Sequence, residues 1–419
     1  MKFSIRLITA LSAFFIPFLL SSQTVTVGTF NGQNTGTSYP TSYGDNREST
    51  RAQYLYLASE LTAAGASAGN MIKLGFFVED VTGVGVHENY TVKLMLTSIS
   101  SLTPGAWEIG STTVFGPVDY TPAVGLNEHA ISTPFYWNGT ANLIVEVCHS
   151  EDPATGGNYA TNNAVVQLTT GLAFNGSRTR AVNNESQICE LTPGQQDGDY
   201  HDRPVLSLTF CRPPVDVVLT GISSITANLG WAPPVGGSPA GYEWTFGADG
   251  YVPGVSGSEL GNGSTTGTSA AIPGLEGLVT YSFWVRSDCG DGFSTWAGPL
   301  NFTTDPSCGD PFSDTGGPFG EYDVNEDYIK VFCPDIPDNA VSMDFFLPFS
   351  FSSSPGDTLK VYNGNNTGFP LLDALSGGYS VPPGPYTATT ASGCLTVHFT
   401  SDEVKAPEDM GWVAFLVCL

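Results

Sequence analysis

In the run Leu275-Glu-Gly-Leu-Val-Thr-Tyr-Ser-Phe-Trp-Val285, Tyr281, Phe283 and Val285 fall at every second position. A β-strand turns alternate side chains to one face, so the run predicts a strand with an aromatic inner face. Upstream, Ala227-Asn-Leu-Gly-Trp231 followed by Pro233-Pro234 predicts an earlier strand with a core tryptophan and a stop behind it. The wider composition agrees. The 419 residues include 49 Gly and 29 Pro, a balance that predicts an all-β fold. An apolar fraction of 41%, with 12% aromatic, is enough for packed cores and excludes a disordered chain. At roughly 100–200 residues per domain, the length predicts two to four domains.

Forty acidic side chains against 14 Lys and Arg give a formal charge of −26. Such a field repels phosphate backbones and anionic lipid heads, which argues against nucleic-acid binding and membrane docking. It attracts divalent cations instead. Met1 to Ser22 reads as a secretory signal: Lys2 and Arg6 form the basic end, Leu7 to Leu20 the apolar stretch, and Ser21-Ser22 a small-residue cleavage site before Gln23. About fourteen apolar residues fall short of the roughly 20 needed to span a bilayer, so no membrane insertion is expected after cleavage. No Cys lies near the cut, which argues against a lipid anchor. Cys148, Cys189, Cys211, Cys289, Cys308, Cys333, Cys394 and Cys418 form an even set in an exported chain, so disulfides are expected, with 105 connectivities open. No pair has the C-x-x-C spacing of zinc or redox sites.

The mature chain divides into three segments, 23–210, 211–306 and 307–419, expected to be three consecutive β-sandwich domains. In the first, short runs such as Met71–Val78, Tyr90–Leu96, Leu143–Val147 and Val205–Phe210 alternate with Pro122, Asn138-Gly139, Gly156–Asn158 and Pro193-Gly194. Strands with that punctuation predict a sandwich of jelly-roll kind. Only 57–68 has a helical look, and Gly65 weakens it.

The second segment resembles a fibronectin type III domain, on Trp231, the Leu275…Tyr281 run and the closing Phe302-Thr-Thr in that order. The resemblance puts Cys211 and Cys289 at one pole and implies a bridge between them. The third segment resembles a CUB domain. The residues that carry this are Gly356-Asp-Thr-Leu-Lys-Val-Tyr-Asn-Gly364, Leu395-Thr-Val-His-Phe-Thr-Ser-Asp402 and Gly411-Trp-Val-Ala-Phe415. Within it, Cys394–Cys418 across an expected hairpin, and Cys308–Cys333 by spacing, are the expected bonds. The first segment is similar to an N-terminal β-domain of modular secreted proteins from Gram-negative gliding bacteria, on Arg51–Gly65, Pro134–Val147 and Arg203-Pro204. Such proteins often use type IX secretion and end in a sorting domain. No such ending follows here, which implies either a fragment or another route.

The CUB resemblance implies a Ca²⁺ site, with Asp357 and Asp402 at two of the family's carboxylate positions. The Glu that the family carries some eight residues earlier is missing, since residues 345–356 hold no acid. Asp314, Glu321, Glu403, Glu408 or backbone carbonyls are the available substitutes toward the six to eight oxygens that Ca²⁺ requires. Asp357 and Asp402 equally suit turn and strand-edge positions that bond local N–H groups. Asp197, Asp199 and Asp202 form a second acidic cluster without the glycine or closing Glu of a calcium loop, and read as a solvated loop. His87, His129, His149, His201 and His398 are scattered, with no H-E-x-x-H. Gly254-Val-Ser-Gly-Ser258 lacks the final glycine of a nucleophile elbow. No enzyme is therefore expected.

Trp107, Tyr136 and Trp137 offer an aromatic platform for sugar, although core packing is the more frequent fate of tryptophan. The sequence thus predicts a secreted or cell-surface, non-catalytic binding or adhesion protein whose partner is an extracellular protein or glycan. The alternative is the targeting or carbohydrate-binding region of a secreted hydrolase whose catalytic part is not in this chain.

Overall fold

Strands that alternate apolar and polar side chains, punctuated by Gly, Pro and Asn turns, build nearly all of this protein. The computed structural model describes residues 22–150, 160–183, 188–190, 198–235, 237, 239–318, 320–336, 338–351, 356–404 and 410–419. All of the expected signal segment except Ser22, together with Asp197 and Glu408, lies outside the described residues. Among the described residues no helix is long and apolar enough to cross a membrane.

The first strands are β1 Gln23–Val27, β2 Gly32–Gln33, β3 Ser49–Tyr56, β4 Gly69–Asp80, β5 His87–Thr97, β6 Thr112–Tyr120 and β7 Gly125–Trp137. They continue with β8 Asn142–Ser150, β9 Val165–Thr169, β10 Ser177–Val182, β11 Gly198–Tyr200, β12 Arg203–Pro204 and β13 Leu206–Cys211. One sheet runs β1-β13-β4-β9-β12, with β2 on β9 and β7 on β4; the other runs β11-β10-β3-β8-β5-β6. Val27, Tyr54, Phe76, Val92, Val145, Leu208 and Phe210 fill the space between them. The expected helical stretch shortens to α1, Ala58–Ala63, which stops before Gly65 at a φ of 93° that only glycine adopts cheaply.

This core also gathers three of the histidines that look scattered in sequence. The rings of His87 and His149 lie 4.7 Å apart, and His129 Nε2 is 2.9 Å from the Tyr43 hydroxyl. Tyr43, Tyr90 and Tyr120 stack on one another beside them, at 5.4–5.7 Å. Burial pushes His129 and His149 down to about 4 and holds His87 well below the usual imidazole range.

The middle strands are β14 Val215–Ile222, β15 Thr226–Ala232, β16 Gly241–Ala248, β17 Glu259–Thr265, β18 Ser269–Pro273, β19 Thr280–Asp288 and β20 Ala297–Thr303. They form a three-stranded sheet, β14-β15-β18, and a four-stranded one, β17-β16-β19-β20. Trp231 stacks on Phe283 at 6.2 Å, and Tyr281 packs on Phe302 at 5.7 Å. The Tyr281 hydroxyl accepts the Glu276 N–H, 2.9 Å away and five residues upstream, which is the tyrosine corner of immunoglobulin-like sandwiches.

The last strands are β21 Pro311–Ser313, β22 Asp327–Phe332, β23 Val341–Ser350, β24 Thr358–Tyr362, β25 Leu371–Leu375, β26 Tyr386–Thr387, β27 Leu395–Thr400 and β28 Gly411–Cys418. They make two four-stranded sheets, β21-β28-β23-β26 and β22-β27-β24-β25, closed over Phe312, Phe345, Phe351, Phe399 and Trp412.

The four disulfides are Cys148–Cys189, Cys211–Cys289, Cys308–Cys418 and Cys333–Cys394. The last two correct the expected Cys394–Cys418 and Cys308–Cys333. β27 and β28 follow each other in sequence but belong to different sheets, so no hairpin joins Cys394 to Cys418. Instead, Phe332 pairs with Leu395 at the end of the β22–β27 ladder, which sets Cys333 beside Cys394. The Gly309 N–H bonds the Leu416 carbonyl at 2.6 Å, which brings Cys308 to Cys418.

The chain forms two units. One comprises Met1–Pro214, Pro233–Tyr242 and Arg286–Thr295; the other comprises Val215–Ala232, Glu243–Val285 and Trp296–Leu419. Inside the first, Lys73 pairs with Asp291 at 2.7 Å and the Asn70 amide donates to the Phe293 carbonyl at 3.0 Å. Inside the second, Lys330 meets Asp305 at 2.5 Å, and Asp335 accepts from the Ser224 hydroxyl and the Cys308 N–H, both at 3.1 Å.

The histidine core has a testable consequence. Unfolding exposes imidazoles that take protons near pH 6.5, whereas the folded core refuses them until about pH 4. The unfolded state therefore binds more protons in that window, and stability falls as the pH drops through it. By pH 5 the loss relative to pH 7 is about 2 kcal/mol per histidine. Asp314 acts in the opposite sense: burial raises it to about 6, so between pH 6 and its unfolded value acid favours its folded form. Hydrogen exchange corrected for intrinsic rates should show β4 and β8 losing protection at pH 5 before β27 and β28 do. His87→Phe should reduce that loss while His129 and His149 keep the rest; equal protection at both pH values in the unaltered protein would contradict it.

Candidate functional site

Asp357 precedes β24 and has no exposed surface. Its Oδ2 accepts the Tyr322 hydroxyl at 2.6 Å and its Oδ1 accepts the Asp402 N–H at 2.7 Å. The Asp402 Oδ1 accepts the Val404 N–H at 2.7 Å, in the turn after β27. The two expected calcium positions are thus neighbours, but both Asp357 oxygens are already engaged by protein donors. Asp314, one of the four acidic substitutes in the sequence argument, also accepts backbone donors, the Trp412 and Gly316 N–H groups at 2.7 and 2.8 Å. Among the described residues no three His, Cys, Asp or Glu side chains converge as a metal group. Ca²⁺ takes six to eight oxygens, and at this place the described side chains bring two carboxylates together. What Asp357 does is tie the segment at Tyr322 to the end of β27.

The aromatic candidates separate. Trp137 is fully buried against Phe210, 5.9 Å between rings, and its indole N–H donates to the Ala141 carbonyl at 2.8 Å. Trp107 is also buried. Neither ring presents a face to a sugar: both take the core packing that the sequence reading set beside the sugar platform, and Tyr136 alone of the three is exposed. Of the acidic cluster read as a solvated loop, Asp199 sits instead on β11, paired with β10 and 3.8 Å from Arg178, and Asp202 accepts the Gly171 N–H at 2.9 Å. His398 pairs with Asp327 at 2.7 Å on the sheet surface.

The most concentrated polar chemistry is one that the sequence reading missed. Residues of β3 are buried on both faces: Ala52, Tyr54 and Tyr56 line the core, while Arg51 and Gln53 point the other way, onto the outer face of the six-stranded sheet. The strand registers align Asp199, Arg178, Gln53, Glu146, Lys93 and Thr113 in a row across all six strands. At its centre, Glu146 is completely buried. It accepts from Arg51 at 2.9 Å and Gln53 at 2.6 Å, with the Lys93 ammonium 3.7 Å away.

The segment between β5 and β6 straps this row down. The Gln53 amide exchanges hydrogen bonds with the Glu108 backbone, at 2.7 and 3.1 Å. Arg178 donates to the Thr103 carbonyl at 2.8 Å. The Trp107 ring covers the Arg51 guanidinium at 4.5 Å, a cation–π contact that replaces the water both groups lose. Only the alternation of Arg51 and Gln53 inside an apolar run signalled a second buried face. The partners come from five other strands and could not be paired from sequence.

These geometries give expected outcomes. Trp107→Ala and Trp137→Ala should each cost about 3–5 kcal/mol in denaturant melts, whereas Tyr136→Ala should stay within about 0.5 kcal/mol. Tyr322→Phe leaves a buried carboxylate one donor short and should cost about 1–3 kcal/mol. Millimolar Ca²⁺ should leave the melting temperature unchanged. A calcium-dependent rise that disappears in Asp357→Asn would restore the metal assignment.

No family model matches this sequence, and no curated protein matches it. Among solved structures, "Myokine structure" is similar at 19% identity and a TM-score of 0.20, covering 23% of this chain and 98% of that one. The FN5 domain of Drosophila Lar is similar at 19% identity and 0.20, covering 23% and 99%. A two-domain fibronectin type III segment of chicken tenascin is similar at 15% identity and 0.20, covering 49% and 99%. Likenesses this loose carry no argument of their own. The strand order of the middle sandwich and its tyrosine corner do: β14–β20 form a fibronectin type III-like module.

Proposed function

We propose that this chain is a non-catalytic extracellular binding protein: a run of disulfide-stapled β-sandwiches whose loops and outer faces engage an extracellular protein or glycan. The observation that carries the reading is how the four disulfides are placed. Each ties a strand end or turn to the fold that surrounds it, which suits an oxidising compartment and a chain with small, separate cores. The fibronectin type III-like module supports the same reading. So does the internal use of reactive side chains: three histidines sit in an aromatic core, and Asp357 is closed by Tyr322 and the Asp402 backbone. The third sandwich fits a CUB-like module on its motifs and its two four-stranded sheets. Export through a secretory signal, with the mature chain at the cell surface or beyond, completes the proposal.

The test is direct. Residues 23–419, produced under oxidising conditions, should bind saturably to extracellular material of the producing organism. Turnover of chromogenic ester, glycoside and peptide substrates should stay at buffer level. Product release that scales with protein concentration and survives further purification would overturn the reading.

A further inference from the structure

Beside the strap, the described residues leave part of the outer face of the six-stranded sheet uncovered. A cleft of about 330 Å³ lies there, lined by Asn89, Thr91, Lys93, Thr113, Ser150 and Glu190, with Pro117 and Cys189 at its sides. Its volume falls at the small end of the range for ligand pockets. The cleft has a local cause. The β5–β6 ladder shifts register three times between His87 and Lys93, and such bulges bend a strand and re-aim its side chains. Within that stretch Asn89 takes a φ of 56°, in the left-handed region that Asn enters more readily than most side chains. The far wall is pinned: the Cys148–Cys189 bond fastens the turn Ile188–Glu190 over the sheet.

The lining has a definite chemistry. Lys93 donates to the Cys189 carbonyl at 3.2 Å and faces Glu146 at 3.7 Å, which leaves one of its three N–H donors without a protein acceptor among the described residues. The Asn89 amide nitrogen donates to the Ser150 carbonyl at 3.2 Å, so its carbonyl oxygen remains to accept. The Thr113 hydroxyl and the Glu190 carboxylate have no protein hydrogen bond among the described residues. Donors and acceptors therefore face one another across a small space. The two formal charges cancel, and among the described residues no aromatic or large aliphatic side chain lines the walls.

We propose that this cleft is a subsite for one neutral, polyhydroxylated sugar unit of an extracellular glycan. Each sugar hydroxyl both donates and accepts, which matches an ammonium and a hydroxyl opposite an amide oxygen and a carboxylate. A hydrophobic peptide side chain would find only Pro117, the Cys189 sulfur and two threonine methyls to bury against, beside a charged pair it would have to desolvate. An acidic sugar would meet Glu190 and the field of a chain at −26. This assignment rests on the binding-protein reading above and gives it a ligand class.

The test uses residues 23–419 with disulfides intact. The protein is first screened on an array of neutral and acidic oligosaccharides, then titrated calorimetrically with neutral methyl hexosides and their uronate counterparts. A neutral sugar should bind with a Kd on the order of 1 mM, and the matching uronate at least tenfold more weakly. Thr113→Trp fills the cleft from an exposed position; it should cut sugar binding more than tenfold and leave the melting temperature unchanged. Glu190→Gln should narrow the difference between the neutral sugar and the uronate. Sugar binding untouched by Thr113→Trp, or no neutral sugar bound at tens of millimolar, overturns the subsite. If extracellular material is still bound in that case, the binding-protein reading survives without the cleft; substrate turnover by the same preparation removes both.

Discussion

A carboxylate with no exposed surface lies at the centre of the outer face of the six-stranded sheet, and much of the first sandwich is arranged around that fact. Burying an unpaired charge costs several kcal/mol, so Glu146 needs Arg51, Gln53 and Lys93 in contact. Those groups must then be covered in turn. Arg51 takes the Trp107 ring and Gln53 takes the Glu108 backbone, which fixes the strap between β5 and β6. The strap brings Leu102 and Ile99 down on Leu55 and Ile144, forming a satellite apolar cluster beside the polar row. Lys93 is held upright from below by the same carboxylate, and so reaches the edge of the open cleft. One ion pair therefore links the burial of β3 on both faces, the course of a long loop and the chemistry of a candidate site.

Local patterns were legible in the sequence, and long-range partnerships were not. Tyr281, Phe283 and Val285 at alternate positions, with Trp231 upstream, identified the middle sandwich because a strand writes its inner face with a period of two. Short β-rich runs between Gly, Asn and Pro turns located β4, β5, β8 and β13 to within a few residues. The third sandwich shows where such reading stops. Cys394 and Cys418 bracket two successive strands, but successive strands of a two-layer sandwich can cross between sheets, and these do. A cysteine pairing depends on that crossing, and a spacing argument contains no information about it.

The site candidates divide along the same line. Residue types alone left Trp107 and Trp137 open between a sugar platform and core packing, and both are interior, one against a guanidinium and one against Phe210. Asp357 and Asp402 were placed together by a motif, and they are together. The motif could not show that Tyr322, thirty-five residues earlier, supplies a proton donor to the carboxylate. His87, His129 and His149 come from three strands and meet only once both sheets are stacked. Lys93, Thr113 and Glu190 look like ordinary surface residues until bulges and a disulfide set them around a common space.

The Cys308–Cys418 bond joins the first turn of the third sandwich to its last strand, 110 residues later. A pulling force that enters the chain before Cys308 and leaves after Cys418 passes through that single covalent link. The strands between them carry no load as long as that bond holds. If a surface-attached molecule of this design is dragged by flow, elongation must come from its other sandwiches, while the terminal one stays folded as a rigid bead.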